Sequence, residues 1–453
     1  MTDMNSQKAR AALEHSLREP LIRELHARPF LRLRAPCRLA FLVLKPEEDG
    51  SHTPETSRRQ LIDFLDRYGA AHPQEGAVYY FADLGSVVLK WENHSEFATY
   101  TLYTYEPKPD SLGAHSFATD LHAHFSLDWL ESHPARILSS VSARIEQART
   151  KKVLEALMNG VVHGWFGSTT SFAASYVTDR SAAIAADFDL DHNRQIRLAV
   201  LTCDDIGPGR IGRVVQRFLE IETYRAMSML TLPVARHIIK ELGLIDQKLS
   251  LTVEKIGNEK QSDKAALEEL LSNSADLNLL LSRSSFRFSA ARAYETLVMQ
   301  RIELLREERI MGRQLFFEFM QRRYAPTMRT CQSAHQQLAD MTERAANASE
   351  LLGTRVSVTT AEQNRKLLAK MDTRAAQQAR LQETVEGISV VAISYYAVSL
   401  LTYLLAPLTK FVGLSKTVLA AMLVLPVAAF AWITMRRVKE KLIRKPSKEK
   451  DGH

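Results

Sequence analysis

The chain has 453 residues, 45% apolar and 25% charged, which excludes a disordered or collagen-like polypeptide and leaves room for two to three domains. Its 59 Lys and Arg against 52 Asp and Glu give a net charge of +7, while a mean hydropathy of −0.18 describes a chain that is water-compatible on average. Three cysteines (Cys37, Cys203, Cys331) lie far apart without metal-ligand spacing, so a disulfide scaffold is excluded and a reducing compartment is expected.

The opening stretch MTDMNSQKARAALEHSLREP has no apolar run, so no cleaved secretory signal is expected, and a short helix is expected over 7–26. His26, Arg28 and Arg34 then surround Pro29 and Pro36. Such a group could grip an anion. It could equally pin the N-terminal arm onto the domain, which is the simpler reading. Strand-type runs follow at Arg38–Leu44, Val78–Leu84, Ser86–Trp91 and Phe97–Tyr105, the middle two joined at Gly85 as a hairpin. Further strands are expected at Ile137–Ile145, Ser171–Val177, Ala182–Asp189 and Ile196–Thr202, with helices near 56–69 and 147–158. Strands with few helices between them predict an α+β domain over 1–206 with a largely antiparallel sheet.

Several residues in this domain have chemistry to offer. Trp91, Glu92, His94 and Glu96 sit at a strand–turn–strand junction; Glu92 and Glu96 could act as acid and base only with a pocket between them, and a capped turn is the simpler expectation. His122 and His124 are two apart and on a strand could pair as metal ligands, but nothing nearby completes a site. Asp187, Asp189 and Asp191 alternate and are followed by His192. On a strand the three carboxylates would share a face that could hold a hard divalent cation, although a solvated strand edge explains the same pattern. Gly207-Pro208-Gly209-Arg210-Ile211-Gly212 formally matches GxGxxG between a strand and a helix. Pro208 removes one N–H that would face a pyrophosphate, and no second parallel strand with an acidic ribose ligand follows, so a loop and helix start is expected there. No Ser-His-Asp order, nucleophile elbow or P-loop is present. Neither an enzyme nor a bound cofactor is expected.

From 207 to 386 the texture is helical. Between Gly212 and Glu386 proline occurs only at 233 and 326, and Leu267, Leu270, Leu277, Leu281, Tyr294, Val298, Ile302 and Leu305 recur at helical spacing. A stalk of long antiparallel helices, coiled-coil in character, is expected. Then Gly387–Thr409 runs 23 residues without a charge, and Thr417–Met435 another 19. Both are long enough to cross a bilayer core, with Trp432 near the end of the second, where an interface favours it. In the first span Ala392, Tyr395, Ser399, Thr402 and Ala406 fall on one helical face, a packing seam or, less simply, a pore lining.

The tail 436–453 holds eight basic against three acidic residues. It thus carries +5 of the total, leaving +2 for the other 435 residues. The positive-inside rule then puts body and tail on the cytoplasmic side of a two-span anchor, and the near-neutral body gives no reason to expect nucleic acid. The expected partners are the lipid bilayer and further copies of the chain.

Four segments carry a resemblance. They are Glu24–Phe30 (ELHARPF) with Leu33–Pro36, Lys90–Tyr103 (KWENHSEFATYTLY), His163–Thr178 (HGWFGSTTSFAASYVT) and Gly212–Pro233 (GRVVQRFLEIETYRAMSMLTLP). Over nearly its whole length the chain resembles a bacterial family of uncharacterised, membrane-anchored proteins, a domain-of-unknown-function group. The resemblance implies a bacterial inner-membrane protein and brings no activity, substrate or catalytic residue. A looser likeness of layout is to the CorA-type magnesium channels, whose Gly-Met-Asn signature is replaced here by Leu405-Ala406-Pro407-Leu408. The expected function is therefore an oligomeric, membrane-tethered scaffold or interaction protein, with a CorA-like cation channel as the alternative.

Overall fold

Strand β1 (Cys37–Pro46) is buried along its whole length. Its centre, Leu39–Leu44 (LAFLVL), is a continuous apolar run rather than an alternation because both faces of the sheet to which it is central are covered. The computed structural model describes residues 13–15, 17–18, 21–22, 29–47, 51–105, 117, 119–167, 172–257, 263–407 and 415–443. The helix expected over 7–26 lies mostly outside these residues.

All eight expected strands are present. After β1 come β2 (Tyr79–Asp83), β3 (Val88–Asn93), β4 (Ala98–Thr104), β5 (Ala135–Arg149), β6 (Ala173–Val177), β7 (Ala182–Ala186) and β8 (Ile196–Cys203). A two-residue strand, β9 (Glu308–Arg309), adds to the edge beside β6. The order is β2-β3-β4-β1-β5-β8-β7-β6-β9, a mixed α+β architecture. Every pairing is antiparallel except β5 with β8. The strand expected over Ala182–Asp189 ends at Ala186, and the chain then turns. His122 ends helix α2 (Thr119–His122), and His124 follows it in a turn, so these two do not lie on a strand, the setting in which they could have paired.

Helix α1 (Pro54–Asp66) starts on a Thr53 capping box and, with α3 (Leu127–Glu131), covers the β1-β4-β3 half of one sheet face through Phe64, Phe125 and Trp129. Helices α4 (Lys151–Asn159) and α5 (Val161–Phe166) cover the β6-β7-β8 half of that face. The opposite face carries helix α6 (Pro208–Met229), and its core extends to α8 (Asp263–Leu305) and α9 (Phe316–Arg323). Helices α7 (Thr231–Gly257), α8 and the start of α10 (Ala325–Leu405) share a separate core built from Ile238, Leu242, Leu277, Phe288, Ala334 and Leu338. The chain divides into two compact units, Met1–Ser349 and Glu350–His453, and the sheet and these packed helices all belong to the first. The second holds the remainder of α10 and helix α11 (Lys416–Ile443).

Candidate functional site

Under α6, the inner face of the sheet is not uniformly apolar. The register places Phe41, Thr101 and Lys90 side by side across β1, β4 and β3, with Val43, Thr99 and Glu92 in the next row. Lys90 is 2% exposed; its ammonium donates to Glu92 at 3.0 Å and to Gln216 of α6 at 3.3 Å. Gln216 in turn donates to Glu220 one turn on at 3.0 Å, and Glu220 is paired with Arg301 of α8. Buried charges survive in a fold only when paired in this way. The chain Glu92–Lys90–Gln216–Glu220–Arg301 thus crosses from the sheet through one helix to a second.

These residues line a cavity of about 300 Å³, closed by Phe30 and Leu31 of the N-terminal arm, by His94 and Phe97 from the β3–β4 turn, and by Arg217, Thr223 and Tyr224 of α6. His94 stacks on Phe97 with ring centroids 4.4 Å apart. Arg217 donates to the Leu304 carbonyl at 2.8 Å, and burial followed by the neighbouring Arg213 pulls its guanidinium below its ordinary value. Thr99 is 4% exposed, yet its hydroxyl has no hydrogen-bond partner among the described residues. A buried hydroxyl in that condition is rare in a native structure.

Three of the four segments quoted for the resemblance, the HARPF arm, the KWENHSEF block and the EIETYR helix, converge on this cavity. Of the residues singled out earlier, Glu92 and His94 line it, and Trp91 points into the core on the other face of the sheet. Glu96 accepts hydrogen bonds from Arg287 and Tyr294, each at 2.7 Å, and so does not stand opposite Glu92 as an acid–base partner. Sequence reasoning missed Lys90, Thr99, Gln216, Arg217, Glu220 and Arg301. The available signal was polar residues at 216, 220 and 223 on an otherwise apolar helix face.

Residues 13–442 match a family described as a protein of unknown function (DUF3422). The chain belongs to this family. No curated protein matches it, and no homology to the CorA-type channels is shown.

Asp187 is buried; its carboxylate takes the Arg197 guanidinium at 2.7 Å and the Arg197 amide at 3.1 Å. Burial raises its carboxyl above the ordinary value despite that cation. Asp191 accepts the amides of Asn193 and Gln195, Asp189 accepts that of Leu190, and His192 contacts Asn193. The four residues therefore build the β7–β8 turn, and among the described residues no group of three or more His, Cys, Asp or Glu side chains is placed to hold a metal ion. His122 meets the Val141 carbonyl at 3.2 Å, and burial pushes its pKa down to about 4. His124 meets the Tyr68 hydroxyl at 2.8 Å.

The GxGxxG loop has its own explanation. Gly207 precedes α6 and Pro208 opens it, but a Cβ on Gly212 would lie 1.7 Å from the Leu31 carbonyl oxygen. The third glycine makes room for the N-terminal arm, which Leu33 also ties to the Pro208 carbonyl at 3.1 Å. Arg34 is exposed, and His26 and Arg28 lie outside the described residues.

In the second unit, α10 beyond residue 386 and α11 are long and apolar enough to cross a membrane, and no side chain in either apolar window is buried. Tyr395 is exposed and Ser399 and Thr402 are half-buried, with Ala392 and Ala406 on the same face by spacing and Ala406 just past the last helical residue. The Thr402 hydroxyl donates back to the Val398 carbonyl at 2.7 Å.

Proposed function

We propose that this protein is a membrane-anchored interaction protein. Residues 387–409 and 417–435 cross the bacterial inner membrane as a hairpin, and the N-terminal body and basic tail both face the cytoplasm. The supporting observation is that the two apolar helices leave Leu400, Tyr403, Leu404, Leu425 and Phe430 at least 70% exposed. In water such exposure forfeits about 0.8 kcal/mol per CH₂ group left unburied, whereas lipid makes it favourable. The orientation rests on the tail charge of +5 and on a connection, 410–416, with two lysines. The body acts by binding rather than by catalysis, since Glu92, Glu96 and Asp187 are each neutralised by a cation at 2.7 to 3.0 Å. Self-association runs through the helical stretch 350–386, where Leu351, Val358, Leu367 and Leu368 are exposed.

The channel reading has less support, because the Thr402 hydroxyl on its supposed pore face is engaged by its own helix. Three measurements test the proposal on the full chain. Alkaline carbonate should leave the protein in the membrane pellet, and protease added to intact spheroplasts should spare the body. Release by carbonate, or digestion of the body from outside, overturns the anchor or its orientation. A mass in detergent well above the 51.2 kDa of one chain is expected, and a monomer removes self-association.

A further inference from the structure

We infer that the cavity beneath α6 binds a small organic carboxylate, an acid group on an apolar body, and that Thr99, Lys90 and Arg217 hold the acid group. The inference does not rest on the membrane reading, because every lining residue belongs to the first unit.

Four observations carry it. The cavity, at about 300 Å³, has the volume of the smaller natural ligand sites. Its lining joins apolar rings at Phe30, Phe41 and Phe97 to a few convergent polar groups, the composition such sites have. Thr99 lines it with a hydroxyl that is buried and unpartnered among the described residues, which a ligand oxygen would satisfy. Donors are in surplus as well. A lysine ammonium has three N–H groups and a guanidinium five. Lys90 directs its contacts to Glu92 and Gln216, and Arg217 directs one to Leu304.

Charge selects the class. Lys90, Arg217 and Arg301 outnumber Glu92 and Glu220 by one, so a single negative charge completes the balance. A phosphate ester carries about −1.5 to −2 at neutral pH. It would bring excess charge beside two carboxylates and the buried Lys90 and Thr99, where an unbalanced charge is costly. A carboxylate of one charge fits both constraints, and its apolar body lies against the rings.

The test uses the full chain in detergent, followed by thermal unfolding and calorimetric titration. The probes are acetate, hexanoate, benzoate, the neutral analogue benzamide, and inorganic phosphate. Hexanoate or benzoate should raise the melting temperature saturably, acetate less, and benzamide and phosphate not at all. Thr99→Val keeps the side-chain shape and removes a hydroxyl that has no partner in the free protein, so its unliganded melting temperature should not fall. Its affinity for the carboxylate should drop about 10- to 100-fold, the loss expected for one hydrogen bond to a charged group. Arg217→Gln should weaken binding about 10-fold or more. No saturable shift with any carboxylate up to about 10 mM, a range that covers even weak sites, overturns the inference. So does phosphate binding more tightly than benzoate, or a Thr99→Val chain that binds the carboxylate unchanged.

Discussion

The two units solve opposite problems. In the first, Trp91, Trp129 and Trp165 are fully buried and the interior charges are paired: Arg38 and Arg144 with Glu146, Arg197 with Asp187, Arg287 with Glu96. In the second, apolar side chains stand outward, with Tyr403 80% and Leu425 79% exposed. Helix α10 shows both patterns. Within the first unit Met328, Cys331, Ala334, Leu338, Met341 and Ala345 recur every three or four residues and are buried, the stripe of a helix packed on one side in water. Past residue 386 its sequence is apolar all round, and no residue is more than half-buried. The change of pattern along one helix fits the proposed change of surroundings, from water with one packed face to hydrocarbon.

The sharpest way to break that contrast is to charge the apolar stretch. Val398→Lys with Leu401→Lys puts two ammonium groups at the centre of the first span, each costing about 2.5–3.5 kcal/mol there. Their sum, about 5–7 kcal/mol, should shift the protein out of the carbonate-resistant pellet. The same two lysines at the exposed positions Leu351 and Val358 should leave the distribution unchanged. Equal behaviour of the two double variants would show that α10 has the same surroundings along both stretches.

Inside the first unit, the corresponding test is of tightness. Gly212→Ala introduces a Cβ where the Leu31 carbonyl oxygen sits, and backbone cannot swing aside as a side-chain tip does. A loss of about 3 kcal/mol is expected in denaturant unfolding, at the upper end of overpacking costs. Gly207→Ala, with nothing within 4 Å of the new methyl, should change stability by less than about 0.5 kcal/mol. A tolerated Gly212→Ala would mean that the arm does not pack on α6 as described.

These contrasts also show what could be seen from the sequence. The strands were visible because β1 to β8 carry apolar or alternating runs between turn residues, and the apolar helices because 387–409 and 417–435 are charge-free and strongly apolar over lengths that span a bilayer. The parallel pairing of β5 with β8 was not visible, since pairing depends on which distant strands meet and not on local pattern. DFDLDHN alternates like a strand, yet Asp191 folds back to cap two amides, as aspartates do in turns. LHAHF left its element open for a similar reason: alternation over five residues cannot be told from a single helical turn. Of the site, the KWENHSEF and EIETYR blocks stood out, but the register that lines up Lys90 with Thr101 and Glu92 with Thr99 exists only once the sheet is assembled. Gly212 completed a formal GxGxxG match whose tertiary reason could not be read locally, because the Leu31 backbone that requires it lies 181 residues away.

His122 offers the mildest probe of the body's interior. Its ring meets the Val141 carbonyl, and burial, the dominant cause, holds its pKa near 4 against the pull of Asp191, below the 6.5 usual for histidine. The unfolded chain therefore binds a proton between those values that the folded chain refuses, so stability is full above pH 6.5 and falls as pH drops toward 4. A pKa near 4 in place of 6.5 makes about 3 kcal/mol of stability depend on pH across that window. His124, also pushed down by burial, adds to the loss in the same direction. In His122→Gln, an amide N–H can still reach the carbonyl but carries no titratable proton, so unfolding should lose most of this slope between pH 4 and 6.5 while changing little at pH 8. A variant as acid-sensitive as the parent would place the acid weakness of the body elsewhere, and the ring at 122 would then be free to take its proton in the folded state.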